Sequence, residues 1–570
     1  MKTRHSSAVI ASAMICAIAG TAGAADINVT TDIAVSTTWT ANNVYNLQGQ
    51  IYVLPGATLT IQPGTVIASS LGGSLAITRD ARINCVGTAQ QPIIFTSTAD
   101  RATWTNGNPK TGVWRPTANE WGNVTVMGRA YIGKYGQGAV STNTAAPNAN
   151  NYANMEGLTA SGPDDTRTRY GGGNDNDNSG TFRYVSLRYG GKVVGLGNEL
   201  NGLSLGGIGR GTIIDHIEIM NNVDDGIEIW GGTVDLKYVN IWNIGDDSLD
   251  IDQGWRGRAQ FGLLVAGYSI PGAAAGSGFP DSLIEMDGAE KSDAQPVSTF
   301  NIWNFTCIGQ PLTSRDGTKW RDNARGQFHA SIFMDIAKEV VRNDNTDGES
   351  TGGQTGYGFN GTLSWANTWT TNYNVYSTVN PFANPAAAYT AQVSGKLIEY
   401  TDSVFFRNNN AAAYTEANAR GVFAAANNNV QATLMPIVSM TRGANVISGT
   451  MVVANVISID PRAANNAVTS VTSAPANGYF DPVTYRGAFS TQDNWLCNWT
   501  AADAFGFVVK PAGVCSICDA DLSGDNIVGG ADLGLLLGNW GNAGAGDLNN
   551  DGIVNGADLG VMLGAWGACP

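Results

Sequence analysis

"IEIMNNVDDGIEIW" (217–230) and "VNIWNIGDDSLDID" (239–252) superpose at an offset of 22 residues. Ile219 falls on Ile241, Asn221 on Asn243, Asp224 on Asp246, Asp225 on Asp247 and Glu228 on Asp250. Weaker echoes follow in "DSLIEMDG" (281–288) and "FNIWNFTCIG" (300–309). A period in the low twenties is the length of one coil of a parallel β-helix, in which each turn hydrogen-bonds to the next. Ile, Leu and Val at alternate positions then point inwards and stack. Asn221, Asn243 and Asn304 are expected to form an amide ladder at one corner.

The flanking chain supports the same architecture. "ATLTIQPGTVI", "GSLAITRDARINCVG" and "QPIIFTS" (57–97) are short β-rich runs joined by tight turns, with no helical period between them. The 72 glycines and the 14% of charged residues, against about a quarter in ordinary soluble proteins, suit a turn-dense β protein. A net charge of −15 excludes a nucleic-acid footprint and suits a protein that binds divalent cations.

The repeat also makes an acidic strip. Equivalent positions on adjacent coils lie about 4.8 Å apart. Asp224 therefore stacks on Asp246, Asp225 on Asp247, and Glu228 on Asp250. Like charges this close take a proton, bind a cation or turn away. Three readings follow: a structural or calcium-binding turn ladder, a glycan contact, or catalysis. For glycoside hydrolysis, carboxyls about 5–5.5 Å apart suit retention and about 6.5–9.5 Å suit inversion. Asp224, Asp225, Asp246, Asp247 and Asp250 are the candidate catalytic residues. For a lyase, calcium on stacked aspartates would neutralise a uronate, and Lys237, Arg256 and Arg258 are the nearby candidate bases. Trp230, Trp242, Trp255 and Trp303 are expected to expose indoles for stacking on sugar. His216 reads as a packed residue. Asp175 and Asp177, in the excursion "SGPDDTRTRYGGGNDNDNSG" (161–180), read as a solvated turn, with a further cation loop as the alternative.

The N-terminus carries Lys2, Arg4 and His5 before the apolar run "AVIASAMICAIAG" (8–20) and the small residues "AGA" (22–24). This predicts a signal peptide over 1–24 and a secreted, extracellular or cell-surface protein. No later run approaches about 20 apolar residues, so no membrane span is expected. Without Cys16, six cysteines remain: Cys85, Cys307, Cys497, Cys515, Cys518 and Cys569. Disulfides stapling the C-terminal module, for example Cys518 to Cys569, are expected. "CSIC" (515–518) has no second CxxC and no nearby His to make a zinc site.

The last 52 residues repeat internally. "DLSGDNIVGGADLGLLLGNWG" (521–541) aligns with "DLNNDGIVNGADLGVMLGAWG" (547–567) at an offset of 26. Each copy opens with a calcium-loop spacing, in which positions 1, 3, 5, 7, 9 and 12 wrap one ion in oxygen. Asp521, Ser523, Asp525, the Ile527 carbonyl, Gly529 through water and Asp532 form the first set. Asp547, Asn549, Asp551, Ile553, Asn555 and Asp558 form the second. Two calcium ions are thus expected. Leu533, Leu536, Leu537 and Trp540, and Leu559, Met562, Leu563 and Trp566, then fall on the stripe of an amphipathic helix.

The duplicated loops resemble the dockerin family, which implies a cohesin-like partner. Asn526 replaces the sharp-turn glycine of the first loop, and Gly530–Ala531 and Gly556–Ala557 stand where dockerins select partners. The body, through "LTIQPGTVI", "GGGNDNDNSGTFRYVSLRYGG", "NGLSLGGIGRGTIIDHIEI", "NNVDDGIEIWGGTVD" and "YRGAFSTQDNW", resembles bacterial secreted β-helix proteins without an assigned activity. That resemblance implies a right-handed parallel β-helix. "NVDDG" (222–226) and "GDD" (245–247) resemble the polygalacturonase family, but that family's Gly-His-Gly turn and Arg-Ile-Lys segment are absent. The expected organisation is a signal peptide over 1–24, a mainly β parallel β-helix over 25–510 and a small α-helical calcium module over 511–570. The expected function is non-catalytic contact with polysaccharide or extracellular partners, with docking through the tail. The alternative is a glycoside hydrolase or polysaccharide lyase acting through the 224–252 strip.

Overall fold

The computed structural model describes residues 25–570 except 135–146, 159, 163, 196–197, 290–294, 313–315, 344–364, 375–381, 383, 410–420, 465–470, 472–473, 476, 512–513, 515–519, 524–526, 543–545, 549–552 and 569–570. The expected signal peptide lies outside the described residues, as do Cys515, Cys518 and Cys569.

Successive coils stack through parallel strands. One face is a nine-stranded sheet whose strands in chain order are β1 (Gln50–Val53), β2 (Ser74–Ile77), β3 (Val124–Met127), β4 (Leu203–Gly206), β5 (Ile227–Gly232), β6 (Leu249–Trp255), β7 (Ile284–Asp287), β8 (Thr318–Arg321) and β9 (Val341–Asn343). Each strand pairs in parallel with the next. Leu203, Ile227, Leu249 and Ile284 stand over one another, and each is fully or almost fully buried. The alternate side chains therefore point outwards together, which makes this sheet a patterned surface.

A seventeen-stranded sheet supplies the other walls. Its long strands Gly180–Arg188, Ile213–Asn222, Asp235–Ile244, Arg258–Val265 and Thr299–Ile308 each contain a residue of positive φ: Tyr184, His216, Tyr238, Phe261 and Asn304. The bends coincide in register, so one strand serves two walls. A left-handed φ costs on the order of 1–3 kcal/mol at such residues. Ring stacking offsets it: Tyr184, His216 and Tyr238 lie 4.2 Å apart, and Phe261 follows at 5.0 Å. His216 is thus a packed ring, bonded to Asp215 at 2.9 Å.

The amide ladder sits at the following corner. Asn243 Nδ2 donates to Asn221 Oδ1 at 3.3 Å, and Asn221 Nδ2 donates to the carbonyls of Arg115 and Thr117. Asn304 does not continue it. The pairing of Gln260 with Trp303 and Gly262 with Phe305 puts Asn304 over Phe261, one corner earlier, where it donates to the Tyr485 carbonyl. The "NIWN" that seemed to repeat belongs to a different wall in each coil.

The parallel coils run from Ala25 to Ala432, and residues 437–463 then form antiparallel pairs. Phe489, Leu496, Ala501 and Phe507 return to cover a wall. Glu218, fully buried, anchors this cover by accepting the N–H groups of Ala501 and Ala502. The four tryptophans are buried rather than displayed, Trp242 under this cover and Trp255 inside the solenoid core. Trp242 stacks on Phe507, Trp255 on Phe300 and Trp303 on His329, while Trp230 lies against Tyr170.

In the tail, helices Gly530–Gly538 and Gly556–Gly564 share a small core of Ala520, Val528, Leu536, Val554 and Met562. Leu537, Trp540, Leu563 and Trp566 are about half exposed, so the buried stripe is narrower than the sequence pattern. No described helix is long and apolar enough to cross a membrane.

Candidate functional site

The acidic residues first serve the backbone. Before each floor strand the chain turns, and the residue at that turn accepts the N–H of its counterpart on the next coil. Asn201 Oδ1 accepts from Asp225 N at 3.3 Å, Asp225 Oδ1 from Asp247 N at 2.9 Å, and Asp247 Oδ1 from Ser282 N. Gly245 is required here, since a Cβ would meet the Val223 carbonyl oxygen at 1.7 Å. The clustering in "GDDSLDID" is thus one rung of a side-chain ladder that closes the turns.

The same ladder crowds charge. Asp224, Asp225 and Asp246 offer oxygens within 4.8 Å of one another, as do Asp225, Glu228 and Asp250, and again Asp246, Asp247 and Asp281. Burial, with like charges nearby adding to it, pushes the carboxyls of Asp224, Asp225, Glu228, Asp247 and Asp250 well above the ordinary range. The five candidates are therefore brought together, but no basic residue expected from the sequence joins them. Lys237 pairs with Asp481, Arg258 with Asp235, and the fully buried Arg256 with Asp175. Asp175 is accordingly a clamp that ties the excursion to the wall, not a solvated turn.

On the outer face of the sheet the register writes two columns of charge. Ser204, Glu228, Asp250, Glu285, Lys319 and Arg342 make one. Trp230 and Asp252, then Asp287 and Arg321, make the other. Three coils present acids and the next presents bases. Sequence reasoning missed Glu285, Asp287, Lys319 and Arg321. The alternation in "TKWR" (318–321), with Trp320 inward and the two bases outward, was the available signal.

These columns floor a cleft of about 570 Å³ lined by Glu228, Asp250, Asp252, Glu285, Asp287 and Arg321, and walled by residues 154–158. Glu156, in that wall, is pushed up to about 7 by burial and by Glu199. Glu285 goes the other way: burial opposes its charge, but Arg321 and Lys319 outweigh burial and hold it below its usual value. Glu228 accepts from Asn201 Nδ2, while Asp250 Oδ1 is buried without a hydrogen-bond partner among the described residues. A buried acceptor of this kind costs about 1–3 kcal/mol unless a proton or cation meets it. The all-oxygen set of Asp225, Glu228 and Asp250 suits a hard cation such as calcium.

The tail places its expected ligands less simply. Asp532 accepts the N–H groups of Ser523 and Gly529, and Asp558 those of Leu548 and Asn555, so both cap helices. Burial opposes the charge of Asp532, but these donors outweigh it and lower its pKa. Asp521 accepts from the Ser523 hydroxyl, and Asn555 Oδ1 accepts from Ala557 N. Ile527 and Ile553 are exposed. Asp525, Asn549 and Asp551 lie outside the described residues.

Parallel coils stacked in register, with one patterned sheet flooring an acidic cleft, define a parallel β-helix protein. The profile of the pectate-lyase like beta helix domain matches residues 30–396, more than half of the chain, and the protein belongs to that family. Comparison with curated proteins and with solved structures finds no match.

Proposed function

We propose that this is a secreted, calcium-binding β-helix protein that contacts polysaccharide through the cleft over β5–β8 and is non-catalytic. The observation that carries the reading is the Asp225, Glu228 and Asp250 set, with the unpartnered Asp250 Oδ1 at the floor of an open cleft. A divalent ion there satisfies the orphaned oxygen, disperses the like charge and offers open coordination to sugar hydroxyl or carboxylate oxygens. Family membership supports a polysaccharide partner. Catalysis is the weaker reading because Arg321, which lines the cleft with Lys134, is held by Glu285, as is Lys319 beside it. The tail loops, with their two calcium ions, would dock the protein on a cohesin-like partner.

The test is retention of uronate and neutral polysaccharides by the full chain with calcium and with chelator, alongside assays for product. Calcium-dependent retention without turnover is the expected result. Turnover that Asp246→Asn and Asp247→Asn both abolish would favour the hydrolase or lyase instead.

A further inference from the structure

The basic rung carries an inference that rests on the cleft reading just given. Lys319 and Arg321 are the bases that follow three acidic rungs on the floor sheet, and both are turned back onto the acids. Lys319 Nζ meets Glu285 Oε2 at 2.6 Å, Arg321 binds Glu285 Oε1, and Arg321 Nε lies 3.4 Å from Asp287. Glu285 is only 6% exposed, yet it lines the cleft together with Asp287 and Arg321. An ammonium and a guanidinium converging on one carboxylate form the geometry with which proteins grip a carboxylate or sulfate of a ligand. Arg342, the next base in the column, is engaged elsewhere by Asp316 at 2.7 Å.

We infer that Lys319 and Arg321 form an anion subsite at the end of the cleft, filled in the free protein by the side chain of Glu285. Glu285 then acts as a specificity-determining residue. While it holds both bases, an acidic glycan meets a cleft lining of carboxyls with Lys134 as its further base, and its approach is helped by a bridging cation. Without its charge, the two bases are released to the ligand's anionic group and the need for a cation falls away.

The experiment compares the full chain with Glu285→Gln and Asp287→Asn variants, all in chelator, binding polygalacturonate as carboxylate probe and dextran sulfate as sulfate probe. Neutral xylan is the control. Glu285→Gln is expected to bind at least one anionic probe about tenfold or more tighter than the parent chain. The gain should fall with added salt and vanish on further substitution of Lys319→Met. Asp287→Asn, which relieves Arg321 alone, should move affinity in the same direction by less, and it decides the matter if Glu285→Gln melts early. A preference for one probe identifies the group that the subsite takes. The inference is overturned if neither folded variant gains affinity for either probe, or if xylan gains equally. Calcium-dependent retention by the parent chain is a separate readout, so the cleft reading and the subsite can fail independently.

Discussion

Asn221 and Asn243 close one corner of the solenoid, and Asp225 and Asp247 close the turn that follows. Both columns hand a side-chain oxygen to a donor on the next coil, at 3.3 Å for the amides and 2.9 Å for the acids. The amide both accepts and donates, so Asn221 is answered on both sides, Asn243 leaves only its neutral Oδ1 without a partner among the described residues, and the column stays uncharged. A carboxylate only accepts. Each added rung therefore brings a further charge that the backbone cannot neutralise. One ladder is uncharged, and the other gathers carboxyls that a proton or a cation must meet.

The comparison breaks most visibly if the chemistries are exchanged. Asn243→Asp puts a charge at a fully buried corner and removes the donor to Asn221, and should cost about 3–5 kcal/mol in thermal or denaturant melts. Of the two ladders, calcium should act on the acidic one only. At about a hundred times its dissociation constant it should add about 2.7 kcal/mol of stability, a gain reduced in Asp250→Asn and kept in Asn221→Ser. Asp247→Ala removes the acceptor of the Ser282 N–H and should cost about 1–3 kcal/mol, whereas Asp247→Asn keeps an acceptor and should cost less. The smallest effect is on pH. Carboxyls raised by folding stabilise below their unfolded pKa, and that stability is lost as pH rises through the folded value. For Glu156 the window runs from 4.5 to about 7. Melting temperature in chelator should fall across it, and calcium should flatten the slope.

Much of this was legible. The offset between 217–230 and 239–252 is the physical coil, and Glu228 pairs with Asp250 as the alignment requires. The position of the acids was also legible, because a repeat converts sequence spacing into distance. What was hidden depends on the irregular segments between coils. Trp242 looks like a display residue until Phe507, from the covering segment, is seen stacked on it, whereas Trp255 points into the solenoid core against Phe300. Lys237 and Arg256 look like candidate bases, yet their partners Asp481 and Asp175 come from distant loops. Lys319 and Arg321 lie some seventy residues beyond the acidic strip, since the connections lengthen and the period dissolves.

Cys85 and Cys307 are buried free thiols facing the solenoid interior at two levels of the stack. Cys85 pairs in register with Ile61 and Phe182, and Cys307 with Leu264 and Phe333. Burial pushes both thiols above their ordinary pKa, so neither supplies thiolate while its coil is closed. Their rates of labelling by a thiol reagent consequently time the opening of the coils themselves. The two sulfurs are native stopwatches, and whichever is labelled first marks the end from which the stack unzips.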